Sequence, residues 1–326
     1  MTSEQSTLAD QLAIAVVVVS YNSAECLRQC VRAIEQQTVK PVECIVVDNA
    51  STEHATRELL TEYDALTWLT VMRLDTNRGY GAAINHAVAA LSGIEFLVVL
   101  NPDAYAAPDC LDQLIDCANR HPNAASIAPL MLSAKAPDVI DGAGDEWLWH
   151  GYPRRRFHGK GLSAVTLNEE PVLSACAGAC LYRLSALRSV GGFDEAYFMY
   201  LEDVDVGVRL QLLGYSCWFT PKAQVNHEGS ATTGYRSEFS TFYGHRNVSR
   251  LMLKNASLRF LPVMLLGNVL AGIAMLFIAV RRGQARTYLR AKAAGQSQVW
   301  GALLARSKVN RRAALRFGLR ITSDNK

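Results

Sequence analysis

Apolar runs and helix-type patterns alternate along the first 120 residues of the chain. Residues 14–19 form a continuous apolar run, which is typical of a strand buried on both faces of a parallel sheet. Further strands are predicted at residues 44–47, 68–74 and 96–100. The helices between and after them are predicted beyond Asn22, where Asn22 and Glu25 suggest a capping box, and at residues 52–63, 81–91 and 108–119. This alternation predicts a doubly wound α/β fold.

Polar residues follow each predicted strand at the point where the strand ends. They occupy residues 20–22, 48–51, 75–78 and 101–103. Because doubly wound sheets bind ligands at the carboxyl ends of their strands, these residues are expected to share one site. No glycine-rich dinucleotide fingerprint follows the first strand, and no P-loop lysine motif is present. The sequence therefore disfavours a dehydrogenase or a P-loop ATPase.

The second half of the chain has a more mixed pattern. Residues 133–171 are rich in Gly, Pro, Arg and aromatic residues, and they are predicted to be irregular or to form hairpins. A strand is predicted at residues 217–220, and helices are predicted at residues 202–213 and 237–255. No internal repeat or low-complexity segment is found.

The last part of the chain combines an apolar segment with many basic residues. Residues 261–280 carry no charged side chain and are just long enough to span a bilayer. Arg281 and Arg282 follow, and no acidic residue occurs from Lys254 until Asp324. We expect residues 256–326 to be a basic helical extension that spans the membrane or lies in its interface.

Charge, cysteine content and the N-terminus set the expected compartment. The net charge of +3 gives no reason to expect nucleic-acid binding. Eight cysteines occur without a C-x-x-C pair, which is typical of buried reduced thiols. Residues 1–12 are polar, are expected to be disordered, and lack the basic and apolar regions of a signal peptide. We expect a cytoplasmic protein that lies on, or is anchored in, the cytoplasmic membrane.

Three polar motifs each have a structural and a chemical interpretation. Residues 101–103 (Asn-Pro-Asp) suit a turn that caps the next helix, but Asp103 could also bind a divalent cation. Residues 202–205 place acids at a helix start, where the helix dipole favours them, yet glycines and aromatics precede them as in a pocket. His227 is either a structural histidine or a metal ligand. A carboxylate among residues 202–205 could serve as a general base.

Together these motifs resemble the family 2 glycosyltransferases with a GT-A fold, and most closely the rhamnosyltransferase-type bacterial enzymes. The resemblance covers residues 13–255, and the motifs occur in the expected order. They are VVVVSYNSAECL, IVVDNAST, NRGYGAAIN, LVVLNPDA, GACLYRLSALRSVGGFDEAYFMYLEDVDVGVRLQLLGY, NHEGSAT and YGHRN. The resemblance implies a mostly parallel central sheet flanked by helices. It also implies a nucleotide-binding half at residues 13–125 and an acceptor and catalytic half at residues 126–255.

The resemblance also implies a role for each matching residue. Those expected around the nucleotide-sugar donor are Ser20, Tyr21, Asn22, Asp48, Asn77, Arg78, Gly79, Gly81, Asn85, Asn101 and Asp103. Asp103 and His227 would bind Mg²⁺ or Mn²⁺, Asp203 would be the general base, and Glu202 would lie near the acceptor. One departure is Asn101, which stands where many relatives carry an aspartate, so the cation would bind weakly before the donor arrives.

The implied reaction moves L-rhamnose from dTDP-rhamnose to an acceptor hydroxyl, with inversion of configuration. The acceptor would be a bacterial surface glycan or a lipid-linked intermediate, and a UDP-hexose is the alternative donor. A sugar nucleotidyltransferase would need a glycine-rich basic loop after the first strand, where residues 20–22 are Ser-Tyr-Asn. An inactive sugar-nucleotide-binding protein would have no need to retain Asp103, Asp203 and His227.

Overall fold

The first half of the chain forms four parallel strands connected by helices. The computed structural model describes residues 13–229, 234 and 237–306. The strands are β1 (Ile14–Ser20), β2 (Glu43–Asp48), β3 (Thr70–Arg73) and β4 (Phe96–Leu100). The helices between them are α1 (Ala24–Glu35), α2 (His54–Tyr63) and α3 (Tyr80–Ala90). The strands lie side by side in the order β3-β2-β1-β4, and every pair among them is parallel.

The second half of the chain extends this sheet. Its strands are β5 (Ala104–Ala106), β6 (Ala124–Ser133), β7 (Ala136–Gly142), β8 (Asp145–Trp147), β9 (Pro153–Arg155), β10 (Glu170–Val172), β11 (Ala179–Arg183) and β12 (Ser216–His227). Its helices are α4 (Cys110–Arg120), α5 (Leu184–Ser189) and α6 (Glu202–Leu212). Strand β11 is antiparallel to both β4 and β6, and the sheet continues through β6 and β12 to β10. The result is a mixed ten-stranded sheet, with β8 and β9 as a separate hairpin.

The apolar runs are long because the sheet is covered on both faces. Alternate residues of β1 point to opposite sides, so Ala15, Val17 and Val19 join one buried cluster. Their neighbours Ile14, Val16 and Val18 join a second cluster with α1, α2 and α4. Each of these six side chains is at most 6% exposed. Helices on both faces therefore explain why residues 14–19 of β1 are all apolar, and the one polar residue of the strand, Ser20, stands at its end.

The predicted order of strands and helices in the first half of the chain is confirmed, with the short strand β5 added after β4. Residues 133–171 contain the ladder of β6 with β7 and the β8–β9 hairpin, which agrees with the hairpin alternative. The capping box is wrong, because Ser23 is the N-cap of α1 and makes no side-chain capping bond. The Asn22 side chain turns to the next helix instead, where its Oδ1 accepts from the backbone N–H groups of Thr52 (2.8 Å) and Glu53 (2.9 Å).

Four helices complete the described chain. They are α7 (Glu238–Asn255), α8 (Leu261–Arg281), α9 (Ala285–Ser297) and α10 (Val299–Leu304). Helix α7 contacts α6, and α9 contacts both α7 and α8. Among the described residues, α8 is the one helix long and apolar enough to cross a membrane. The predicted disorder of residues 1–12 and the basic residues beyond residue 306 lie outside the described part of the chain.

Candidate active site

The ends of β1 and β2 are joined by a network of short polar contacts. Asp48 accepts a hydrogen bond from the Ser51 backbone N–H at 2.9 Å, and the Ser51 hydroxyl accepts from the Asn22 N–H at 3.0 Å. Ser20 is buried and its hydroxyl lies 2.9 Å from that of Ser23, while Tyr21 beside it is half-buried. The structure therefore brings the first four predicted donor residues together at one edge of the sheet.

The turn at residues 77–79 is joined to the same edge by Asn49. The Asn49 side chain accepts from the Arg78 N–H at 2.9 Å and donates to Asn77 Oδ1 at 3.1 Å. Gly79 has a φ of +87°, and a Cβ there would lie 2.3 Å from the Phe198 carbonyl oxygen. Only glycine fits this turn, because both the backbone angle and the close carbonyl exclude a side chain.

The other two predicted donor residues on α3 lie against the second half of the chain. A Cβ on Gly81 would lie 2.9 Å from the Cβ of Phe193. Asn85 donates to the Phe193 carbonyl at 2.8 Å and accepts from the Phe193 N–H at 2.9 Å. The Asn85 side chain therefore holds the turn at residues 192–193, and its role in donor binding stays a prediction.

A chain of charged side chains begins at Asp103. The β12–β5 ladder pairs His227 with Ala104, which places the imidazole next to Asp103. His227 Nε2 lies 3.3 Å from Asp103 Oδ1, and Nδ1 lies 2.9 Å from Asp141 Oδ2. Asp141 also accepts from Arg155 Nη1 at 2.8 Å. Burial raises the pKa of Asp141, but the hydrogen bond from His227 and the charge of Arg155 outweigh it and lower that pKa to about 2.

Asp103 and His227 fit a divalent cation. Nε2 of His227 is buried and makes no well-aligned hydrogen bond to any described residue. Its Nδ1 is oriented by the Asp141 carboxylate, which is the usual support of a metal-binding imidazole. Asn101 is tied to the same corner through its backbone, since its N–H donates to the Gly178 carbonyl at 2.8 Å. The side chains of His227 and Asp103 therefore offer one nitrogen and one carboxylate oxygen, 3.3 Å apart, to a cation.

A second cluster has ligand-type side chains but does not fit a cation as well. Cys117, His121 and Glu169 bring their ligand atoms within 4.8 Å of one another. Both oxygens of Glu169 already accept from Arg120, at 3.2 and 2.6 Å. His121 lies 2.9 Å from the same carboxylate. A carboxylate satisfied by an arginine and a histidine has little to offer to a metal ion.

Three carboxyl groups meet where α6 begins. Asp203 is half-buried and accepts from the backbone N–H groups of Ala177 (2.9 Å) and Val204 (2.8 Å). Asp145 is buried and accepts from the Ser174 hydroxyl at 2.8 Å. Glu202 is 4% exposed, and its Oε2 has no hydrogen-bond partner among the described residues. Two backbone amides thus hold the carboxylate of Asp203. Asp145 and Glu202 accept no comparable pair of backbone hydrogen bonds from the described residues.

Burial and the charge of Asp203 act on the two neighbours in the same direction. Burial, followed by the Asp203 charge, raises the pKa of Glu202 to about 8. The same two causes raise the pKa of Asp145 to about 7. A proton held by either group limits the repulsion among the three carboxyls. Such an arrangement is typical of a site that moves protons.

The family model for glycosyl transferase family 2 matches residues 15–191. The chain belongs to this family. It is 30% identical over 258 residues to N-acetylglucosaminyl-diphospho-decaprenol L-rhamnosyltransferase of Mycobacterium tuberculosis, covering 73% of this chain and 83% of that protein. It is 23% identical over 232 residues to the O-antigen chain rhamnosyltransferase WbaN of Salmonella anatum, covering 70% of this chain and 69% of that protein.

Two solved structures show the same fold. A mannosyltransferase from Pyrobaculum calidifontis, in complex with GDP-Man and Mn²⁺, matches with a TM-score of 0.56 and 17% identity over 96% of this chain and 88% of that one. GalNAc-T7 with UDP, GalNAc and Mn²⁺ matches with a TM-score of 0.60 and 16% identity over 76% of this chain and 49% of that one. The fold is GT-A, and the protein is a rhamnosyltransferase-like glycosyltransferase of polysaccharide biosynthesis.

Four residues of this site are absent from the sequence prediction. Asn49 lies inside the predicted polar cluster at residues 48–51, so its position carried a signal. Asp141, Asp145 and Arg155 lie in the segment 133–171, whose mixed composition gave no period from which a side chain could be assigned to the site. Backbone hydrogen bonds join Asp145 to the other part of the site, since its N–H donates to the Ser174 carbonyl and its carbonyl accepts from the Leu173 N–H, each at 3.0 Å. The β8–β9 ladder then pairs Arg155 with Asp145.

We predict that Glu202→Gln flattens the pH dependence of stability between about pH 5 and pH 8. Because burial and Asp203 raise the pKa of Glu202 from 4.5 to about 8, the folded protein keeps a proton there that the unfolded chain releases. Stability therefore falls as pH rises through this range, and Gln, which has no proton to release, removes that loss. Asp145 keeps a slope of the same sign, so the fall is reduced and not abolished.

Thermal unfolding followed by circular dichroism at several pH values measures this effect. Glu58→Gln is the control, since Glu58 is an exposed carboxyl on α2. The prediction is wrong if Glu202→Gln and Glu58→Gln show the same dependence on pH.

Proposed function

We propose that this glycosyltransferase moves L-rhamnose from dTDP-rhamnose to a hydroxyl group of a lipid-linked glycan acceptor, with inversion at the anomeric carbon. The main support is the contact pattern of Asp203. Its carboxylate is held by two backbone amides and remains partly accessible at the start of α6. Arg155 links it to the Asp103–His227 corner, because Arg155 binds Asp141 and is influenced by the charge of Asp203.

The names of the relatives support the sugar and the acceptor class. Two of the similar proteins are rhamnosyltransferases, and the one from Mycobacterium tuberculosis is named for an N-acetylglucosaminyl-diphospho-decaprenol acceptor. The solved neighbours carry GDP-mannose or UDP and share the fold alone. A UDP-hexose is therefore the second donor to test.

In the proposed reaction, Asp203 accepts the proton of the acceptor hydroxyl as its oxygen attacks the anomeric carbon. The attack comes from the face opposite the diphosphate, so the new C–O bond forms as the bond to the diphosphate oxygen breaks. The amides of Ala177 and Val204 orient the carboxylate toward the acceptor and reduce its freedom to turn away. A base positioned in this way is worth about 10²–10⁴-fold in rate.

We propose that Asp103 and His227 bind Mg²⁺ or Mn²⁺, with Asp141 orienting the imidazole. When bound, the cation supplies positive charge that stabilises the departing diphosphate. Asn101 replaces an acidic side chain with a neutral one, so the protein alone offers little negative charge to the cation. The donor phosphates would supply further oxygen ligands.

We propose that α8 lies in the membrane interface and does not cross the bilayer. Its outward face carries exposed apolar side chains, among them Leu266 (63%), Ile273 (64%) and Phe277 (62%). Its inward face is joined to the rest of the protein along its length. A Cβ on Gly267 would lie 2.6 Å from the Trp149 ring, and the Tyr288 hydroxyl donates to the Gly272 carbonyl at 2.8 Å.

These inward contacts oppose a transmembrane orientation. To cross the bilayer, α8 would either lose them or carry the β8–β9 loop and α9 into the lipid. Helix α9 carries Arg286, Arg290 and Lys292, and each such charge costs roughly 2.5–3.5 kcal/mol at the membrane centre. An interfacial position buries the apolar face and leaves Arg281 and Arg282 at the lipid headgroups.

We predict that Asp203→Asn lowers the transfer rate by about 10³-fold, because the amide cannot accept the proton of the acceptor. The donor dissociation constant should stay within about threefold, since the donor-side contacts are unchanged. The rate is measured as release of dTDP from dTDP-rhamnose, and of UDP from each member of a panel of UDP-hexoses. Calorimetry measures donor binding. Asp116→Asn, on an exposed position of α4, is the control. An Asp203→Asn variant that turns over at a rate close to wild type contradicts the assignment.

We predict that His227→Ala and Asp141→Asn each raise the Mn²⁺ concentration for half-maximal binding by about 10–100-fold. The first change removes a ligand and the second removes the group that orients it. Electron paramagnetic resonance of free Mn²⁺ gives the affinity without relying on activity. His121→Ala tests the other cluster and should leave the affinity unchanged. Equal affinities in all four proteins would show that the cation binds elsewhere.

We predict that the protein floats with vesicles containing phosphatidylglycerol, and that Leu266→Glu combined with Ile273→Glu abolishes this binding. Two carboxylates on the apolar face make its burial unfavourable. Val42→Glu is the control, because Val42 is 53% exposed and lies just before β2. Alkaline carbonate should release the wild-type protein from native membranes. Resistance to carbonate would indicate a transmembrane helix instead.

A further inference from the structure

The segment 197–201, directly before Glu202, has a strained backbone. Phe198, Tyr200 and Leu201 have φ angles of 64°, 69° and 70°, in the left-handed region that side chains other than glycine rarely adopt. Three such residues within four positions are unusual, and strain of this kind persists only where the surroundings impose it. The contacts of this segment should therefore identify what imposes the strain.

Asn247 on α7 makes the contacts that hold the segment. Its Nδ2 donates to the carbonyl oxygens of Tyr197 (3.0 Å), Met199 (2.8 Å) and Tyr200 (2.8 Å). An amide nitrogen has two hydrogens, so the three carbonyls share them. Asn247 is fully buried at 0% exposure. One side chain thus gathers three carbonyl oxygens that a relaxed backbone would point in different directions.

Arg246 fixes the orientation of this amide. Its Nε donates to Asn247 Oδ1 at 2.9 Å, which leaves Nδ2 facing the segment. The Arg246 guanidinium also donates to the Ala196 carbonyl at 3.1 Å. Arg246 and Asn247, which are neighbours on α7, therefore act on the same stretch of backbone. Among the described residues, neither side chain hydrogen-bonds to Asp145, Glu202 or Asp203.

Residues 198–201 connect the turn at residues 78–80, on the predicted donor side, to the start of helix α6, which carries Glu202 and Asp203. The Phe198 carbonyl accepts from the Tyr80 N–H at 2.7 Å, in the turn where Gly79 leaves no room for a side chain. The Leu201 carbonyl accepts from the Asp205 N–H at 3.0 Å and so starts helix α6. The path of residues 198–201 therefore sets where Glu202 and Asp203 stand relative to the turn at residues 78–80.

We propose that Asn247 is a positioning residue for the transfer reaction. By holding residues 197–201, three of which have left-handed φ angles, it sets the placement of Asp203 relative to the turn at residues 78–80. This inference rests on the proposed function, in which Asp203 is the base. Asn247 belongs to the motif YGHRN, to which the sequence assigned no role. Without this amide, the carbonyls of Met199 and Tyr200 lose the hydrogen bond from Asn247, while the Tyr197 carbonyl still accepts from Arg246 Nη2 at 2.5 Å. The strained angles of residues 198–201 can then relax.

The principal test compares Asn247→Ala with Asn255→Ala. Both changes remove a buried amide from α7, but Asn255 donates to Asp205 Oδ1 at 2.7 Å and, among the described residues, makes no hydrogen bond to the backbone of residues 197–201. We expect kcat to fall by about 100-fold in Asn247→Ala, as for a misplaced catalytic group, and to stay within about threefold in Asn255→Ala. The KM for the donor and the affinity for dTDP should change little, because Asn49 and Asn77 still hold the turn at residues 77–79.

A rescue experiment separates positioning from a general loss of stability. In the Asn247→Ala background, Tyr200→Gly removes the cost of one left-handed residue and should restore part of kcat. Hydrogen exchange measured by mass spectrometry should increase in residues 198–204 of Asn247→Ala, but not of Asn255→Ala. If Asn247→Ala folds poorly, Asn247→Ser takes its place as the test. The serine hydroxyl keeps one hydrogen-bond donor, so the kcat of Asn247→Ser should lie between those of Asn247→Ala and wild type.

Asp203→Asn distinguishes failure of this inference from failure of the proposed function. If Asp203→Asn is inactive while Asn247→Ala keeps the wild-type kcat, Asn247 is not a positioning residue. If both amide variants lose kcat only in proportion to their folded fraction, the role of Asn247 is structural, and the inference is overturned. If Asp203→Asn remains active, the proposed base is wrong, and the exchange data still show whether Asn247 holds the segment.

Discussion

Arg155 carries the positive charge around which the carboxyl groups of this site are arranged. It binds Asp141 directly and lies opposite Asp145 in the β8–β9 hairpin. Its pKa is raised by the neighbouring Cys176 and then by the charges of Asp141, Asp145 and Asp203. Like charges brought together away from water repel strongly unless a cation is placed among them. Its side chain remains 35% exposed, so this cation stands in a cleft and not in the core. The two ends of the proposed reaction are linked through this residue.

The catalytic edge depends equally on contacts between distant parts of the chain. The donor turn at residues 77–80 meets the strained segment before α6, and that segment is held by α7. Helix α7 is further joined to α6 by Lys254, which binds the buried Asp205 at 2.9 Å and Asp194 at 2.7 Å. Removing one partner from buried pairs of this kind is costly, because the other charge is left unpaired. A change in α7 can therefore reach the site without contacting it.

The helices after α7 are also joined to the hairpin that carries Arg155. Helix α8 exposes an apolar face, and its other face contacts the loop of the hairpin whose opposite end carries Asp145 and Arg155. The hairpin strands rise by about 3.3 Å per residue, so Tyr152 in that loop is about 10 Å along the strand from Arg155. The hairpin therefore connects helix α8 directly to the two residues, Asp145 and Arg155, that lie in the candidate active site.

The order of strands and helices in the first 120 residues, and the edge of the sheet at which the polar residues gather, could be predicted from the sequence. Apolar runs such as residues 14–19 report burial on two faces, and polar residues at strand ends mark the carboxyl edge, because both signals are local. The motifs also named Asp103, His227 and Asp203. The three-dimensional structure was needed to show that Asp141, Asp145 and Arg155 join them and that the Asn22 side chain binds the backbone just before α2. These contacts depend on strand register and on side chains far apart in sequence, and local periodicity carries no information about either.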